Sequence, residues 1–140
     1  MNQNTAEVQR WIARKLSRYP LRLRETASAT CSCHKQTETR CIFGQVTLSA
    51  VPSKTFSFVS HVDWPAGVNY EECVMDGIFD VLISSDFHPI CGVKFTLEEI
   101  GWDPKDSVPA GYYFAARDAT RKILRLDENN RNLESQKDVR

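Results

Sequence analysis

Apolar residues in the first twenty positions recur at helical spacing. Val8, Trp11, Ile12, Leu16 and Tyr19 fall on one side, with Lys15 among them, while Arg10, Arg14 and Arg18 fall on another. This pattern predicts an amphipathic helix, which Pro20 ends. From Leu21 the period drops to two: "LRLRET" alternates as a strand does, and β-rich runs follow at residues 41 to 51 and 54 to 62. The short Pro52-Ser53 link makes those two runs a hairpin candidate. Tyr70, Cys73, Val74, Gly77, Ile78, Val81 and Leu82 then mark one face of a helix, with Asn69 and Glu72 at capping-box spacing. Residues 89 to 100 read as another strand. Residues 108 to 126 read as a second long helix, with Ser107 or Asp106 as cap and Pro109 in its first turn. The segment after Asp127 is polar and is expected to fray.

The order is helix, then β, β, β, α, β, α, without an internal repeat. It predicts an α+β two-layer sandwich: a four-stranded sheet with two long helices on one face, plus the N-terminal helix. Residues 1 to 20 form that helix, 21 to 126 the main domain and 127 to 140 a polar tail. The stripe of Val8, Trp11, Ile12, Leu16 and Tyr19 calls for cover, because exposing it forgoes about 1.5 to 3 kcal/mol for each large side chain. Docking on the chain's own sheet, a homodimer or a protein partner through this helix is therefore expected.

Composition narrows the functional classes. With 140 residues, 41% hydrophobic and 26% charged, the chain falls in the range of one globular domain. No apolar run reaches the roughly 18 residues of a membrane span, and no signal peptide opens the chain, so a cytoplasmic protein without membrane contact is expected. Net charge is zero, but residues 1 to 30 hold six bases against two acids and residues 31 to 126 nine against twelve. The overall basic charge that would argue for strong non-specific binding of nucleic acid is missing, and any RNA contact must be local or led by shape. Five cysteines in a reducing compartment predict thiols rather than a disulfide framework.

Reactive residues offer two constellations. Cys31, Cys33, His34 and Cys41 form a soft set suited to zinc, yet C-x-C-H on a strand sends neighbours to opposite faces. Half-buried strand residues are the preferred reading, and a structural role is preferred more strongly still for Cys73 on its apolar helix face and Cys91 in a strand. His61, His88 and Asp86 with Ser84 or Ser85 could be drawn into acid-base chemistry, but no nucleophile elbow surrounds either serine. No G-x-x-x-x-G-K-[ST] phosphate loop is present, so nucleotide is not expected. The chain reads as a non-enzymatic module without metal or cofactor.

Several segments carry a family resemblance. Arg24-Glu25-Thr26, His34, Gln36, "RCIFGQV" with Arg40, Phe43, Gly44 and Val46, "FSFVSHV", "VMDGIFDVL", "FHPICGVKFTL" and "KDSVPAGYYFAARDA" follow one another in order. Over roughly residues 21 to 125 the chain resembles domain IV of translational GTPases of the elongation factor G type, including the ribosomal-protection relatives. The resemblance implies a βαβ sandwich like a ribosomal protein domain, with a left-handed crossover that departs from the usual handedness. It also implies two adjacent tip loops facing RNA in the decoding site. Here these correspond to residues 34 to 41 and 101 to 106. His34, Lys35, Arg40, Trp102, Asp103 and Lys105 are the residues it points to for RNA or partner binding. This chain departs from the family there: Thr37, Glu38 and Thr39 replace a glycine-rich loop, and Asp103 stands where the family has histidine. The expected role is a free-standing module associating with the ribosome or a structured RNA. The alternative is a protein-interaction module that has kept the scaffold and lost RNA contact.

Overall fold

The computed structural model describes residues 3–16, 19–85 and 88–135, the side chains of 3, 4, 15 and 16 excepted. The elements are α1 (Gln3–Leu16), β1 (Leu21–Leu23), β2 (Ala27–Gln36), β3 (Cys41–Pro52), β4 (Ser57–Ser60), α2 (Glu71–Ser84), β5 (Ile90–Gly101), α3 (Pro109–Leu124) and β6 (Leu133–Ser135). The class is α+β. The sheet runs β2-β3-β5-β1-β6, with β4 also paired to β5. β2, β3 and β5 are antiparallel neighbours, with Cys31 opposite Val46 and Ala50 opposite Phe95. β4 lies parallel to β5 through Phe58 and Phe95, so β4, α2 and β5 form a βαβ unit.

The four-stranded expectation is corrected to six strands. The alternation begun at Leu21 breaks over Arg24 to Thr26, so a short β1 separates from the long β2. β1 pairs parallel to β5 and antiparallel to β6. β6 comes from the segment expected to fray. Within that polar stretch Asn132 and Leu133 are buried, and the Asn132 amide donates to the carbonyl oxygens of Glu25 and Ile123 at 2.9 and 3.1 Å. Its own Oδ1 accepts from the Glu25 N–H at 2.8 Å. One buried amide thus ties the end of α3 to the bend after β1, and the folded unit reaches Ser135 rather than residue 126.

The strands alternate as their sequence does. Val46, Leu48 and Ala50 of β3 and Val93, Phe95 and Leu97 of β5 are buried, while Thr30, Ser49 and Lys94 face away. Thr30 and Thr47 share a 2.8 Å hydrogen bond across that outer face. α3 covers β2 and β3 on the inner face and packs along α2. It can do so closely because its contact stripe is Gly111, Ala115, Ala116 and Ala119. Gly77 serves α2 in the same way: a Cβ there would lie 2.5 Å from the Tyr113 carbonyl oxygen.

The helix caps depart from the expectation in detail. Asn69 Oδ1 accepts from the Glu71 N–H at 2.9 Å, so Asn69 caps α2 one residue ahead of its N-cap, Tyr70. α3 starts on Val108 with Pro109 in its first turn, and neither Ser107 nor Asp106 caps it by side chain. α3 ends on Arg125 in the left-handed conformation, with the Leu126 N–H returning to the Arg121 carbonyl oxygen at 3.1 Å.

The expected cover for the N-terminal stripe is not found among the described residues. Val8, Trp11 and Ile12 of α1 are exposed, as is Tyr19, whose ring stacks on His88 at 6.5 Å. The side chain of Leu16 lies outside the described residues. Among the described residues no helix is long and apolar enough to cross a membrane.

Candidate functional site

Two loops distant in sequence meet at one end of the sandwich. The first is the β2–β3 turn, closed by the Thr37 N–H on the Arg40 carbonyl oxygen at 2.7 Å, with the Thr37 hydroxyl on the same oxygen at 3.1 Å. Arg40 and its neighbours Glu38 and Thr39 are exposed. The second loop joins β5 to α3 and is wound around Asp103. Its carboxylate Oδ1 accepts from the backbone N–H of Lys105 and Asp106 at 2.8 and 3.1 Å, an Asx-type turn. Asp103 and Ser107 close the loop between them: the Asp103 N–H donates to Ser107 Oγ at 2.8 Å, and the Ser107 N–H to the Asp103 carbonyl oxygen at 3.0 Å. The N–H donors from Lys105 and Asp106 hold the Asp103 carboxyl below its ordinary pKa.

The loops are stitched together through Phe43. Its N–H donates to the Asp106 carbonyl oxygen at 2.9 Å, and its own carbonyl accepts from the Val108 N–H at 3.3 Å. One residue on, the backbones touch: a Cβ on Gly44 would sit 2.2 Å from the Gly111 carbonyl carbon, and one on Gly111 would sit 2.2 Å from the Phe43 oxygen. No other residue type fits either place without backbone movement. Between the loops lies a groove of about 470 Å³ lined by residues including Thr37, Arg40, Lys105 and Asp106.

The other expected tip residues divide. His34 is exposed on β2 with its ring edge-on to Phe43 at 6.1 Å. Lys35 turns toward α3, its Nζ 4.3 Å from the centre of the Phe114 ring. Trp102 is half-buried in an aromatic cluster, stacked on Tyr112 at 6.1 Å and tilted against Tyr70 at 5.9 Å. Trp64 completes the cluster, 5.3 Å from Tyr112, its Nε1–H donating to Glu71 at 3.3 Å. Tyr112 is wholly buried and donates its hydroxyl to the Gly101 carbonyl oxygen at 2.7 Å, and burial raises its pKa. Trp102 therefore braces the second loop against the core.

The cysteine set is split by the strand. Cys31 and Cys33 are buried on the inner face of β2, His34 is exposed on the outer, and Cys41 is half-buried beyond the turn. Among the described residues no group of three or more such ligands could hold a metal. His61 lies 3.6 Å from Glu98 on the sheet's outer side, Ser84 donates to the Asp80 carbonyl oxygen, and Asp86 lies outside the described residues. Those of these groups among the described residues are not assembled into one site. The Gly44–Gly111 contact and the four-ring cluster escaped the sequence reading. A glycine in the first turns of a helix with no turn to make is the signal that marks a close approach.

No family model matches the chain, and no curated protein matches it. Among solved structures, a crystal structure of a protein from Thermus thermophilus superposes with a TM-score of 0.64 at 23% identity, covering 76% of this chain and 17% of that one. The likeness is one of fold. The matched region is one part of a much longer protein there.

Proposed function

We propose that the chain is a binding module of the translational-GTPase domain IV type, left-handed crossover included, that contacts structured RNA on the ribosome through its tip. The observation supporting this is the tip itself. Two loops more than sixty residues apart are held side by side by backbone contact, with Arg40 and Lys105 bordering one groove. Of the tip carboxylates, Asp103 is turned onto its own loop's amides, which lessens its opposition to a phosphate. The module works without nucleotide or metal, by shape and a few phosphate contacts, in keeping with its zero net charge. Co-sedimentation with ribosomes at two salt concentrations tests it. Binding should weaken as salt rises, with a slope of roughly 0.7 to 0.9 per phosphate contacted, and Arg40→Glu with Lys105→Glu should abolish it. Salt-independent binding, or binding indifferent to both substitutions, overturns the reading.

A second reading rests on α1. Its exposed Val8, Trp11 and Ile12 favour a module that meets a protein partner or a second copy through the N-terminal helix. Sedimentation velocity with wild type and Trp11→Asp decides it, because only an interface on α1 makes the mass depend on that residue.

A further inference from the structure

The zero net charge conceals a segregation between the two packed helices. α2 contains Glu71, Glu72, Asp76 and Asp80 and no base, whereas α3 contains Arg117, Arg121 and Lys122 against Asp118 alone. α3 lies over β2, the edge strand of the sheet; Arg121 and Lys122 line that seam, while Arg117 and Arg121 also border the groove between α3 and α2. At its tip end the Phe114 ring is flanked by two cations, Lys35 Nζ at 4.3 Å and Arg117 Cζ at 5.0 Å from its centre. Farther along, a groove of about 400 Å³ opens between the two elements, lined by Thr30, Cys31, Ser32, Arg121 and Lys122 together with Asp118 and Asp127. Phe114, Arg117 and Arg121 follow one another at steps of three and four, so they form one row about 10 Å long on α3.

We infer that this seam is a track for single-stranded RNA, continuing the tip footprint down β2 and α3. Lys35 and Arg117 lie over the half-buried Phe114 ring; once they turn onto the phosphates on either side a base can take their place on it, and Arg121 and Lys122 receive the next stretch of backbone. An aromatic face set among cations is what single strands require and what a duplex cannot use. Three carboxylates stand in the way: Asp118 lies 3.7 Å from Arg117, Asp127 lies 2.7 Å from Arg121, and Asp80 of α2 lines a groove with both arginines. Pairs this exposed are weak, and a phosphate can replace the carboxylate on either arginine. The acidic α2 turns the strand away from the opposite side of α3. The inference rests on the RNA reading of the tip and shares only Lys35 with the residues the resemblance points to there.

The test is fluorescence anisotropy of the full chain with a labelled oligouridylate of about twelve nucleotides, at two salt concentrations. Phe114→Leu should weaken binding by about tenfold or more through the lost stack. Lys35→Gln and Arg121→Gln should each weaken it and flatten its salt dependence, and Asp127→Asn should tighten it. Lys35 is exposed, so Lys35→Gln remains decisive even where Phe114→Leu unsettles the fold. A folded Phe114→Leu protein that binds as wild type overturns the track, as does an acidic peptide that displaces the oligonucleotide from wild type and Phe114→Leu alike. Ribosome association lost with the Arg40 and Lys105 substitutions, but no oligonucleotide binding, leaves the tip reading standing and removes the seam. Failure of both assays removes both.

Discussion

Helices α1 and α3 both carry an apolar stripe, but only one is buried. On α1 the stripe is built from Val8, Trp11 and Ile12, and 55%, 47% and 43% of their surface is exposed. On α3 it is built from glycine and alanine, and Ala115, Ala116 and Ala119 are wholly buried. Large side chains attract more strongly per residue, yet small ones let backbones meet and are matched here by Gly44 on β3 and Gly77 on α2. α3 is also held at both ends, by the Phe43 stitching before it and by Asn132 after it, whereas the stripe of α1 faces solvent. An amphipathic pattern shows that a face exists. What covers it depends on a surface of matching depth.

The comparison breaks most severely at the glycines. Gly111→Val or Gly44→Val places carbon atoms inside the facing backbone, and the expected loss is about 4 kcal/mol or more, read by denaturant unfolding. At the other end of α3, Asn132→Ala strands the carbonyl oxygens of Glu25 and Ile123 and the Glu25 N–H. Chemical denaturation should show about 1 to 3 kcal/mol lost, with amide exchange quickening first in β1 and β6. A gentler probe is acid. Because the folded pKa of Asp103 is lowered by its loop amides, its contribution is present above the unfolded value near 3.8 and fades as pH falls through the lower folded value. Amide shifts of Lys105 and Asp106 followed by NMR should move in that window, and Asp103→Ala should remove the transition. The smallest effect belongs to α1: with so much of its ring in solvent, Trp11→Asp should change the unfolding free energy of the monomer by less than about 0.5 kcal/mol. A larger loss would mean that the stripe is covered after all.

Periodicity located α1, α2, α3 and the strands around residues 41 to 51, 54 to 62 and 89 to 100, because each has an apolar face whose spacing matches its geometry. β2 and β6 were less legible: the alternation read from Leu21 belongs to β1 and hid the break before β2, and β6 is a three-residue polar segment whose place is set by Leu133 and a buried asparagine, neither of which makes a periodic pattern. Of the tip residues, Arg40 and Lys105 were found by resemblance and do share a groove. Trp102 was legible as an aromatic in a loop, but its packing depends on Tyr70 and Tyr112, thirty-two residues before it and ten after. Pairings at such separations leave no trace in local pattern. The Phe114 ring fell on a helix already assigned to the core, and only three-dimensional structure sets Lys35 beside it.

The pairing of β1 with β6 also sets an order of events during synthesis. Leu23 finds its neighbour Leu133 across more than a hundred residues, whereas β2 and β3 close on a turn of four. At ordinary elongation rates the interval between making the two strands is on the order of ten seconds, long compared with hairpin and helix formation. Through that interval β1 keeps an open edge, and the bend at Glu25 lacks the Asn132 amide that satisfies its backbone. The emerging chain can assemble its helices and central strands early, but it cannot seal this side until residue 135 is free. A nascent-chain pause between residues 124 and 133 would therefore hold a nearly complete sandwich with one exposed seam, the point at which a chaperone or a misplaced strand would find it.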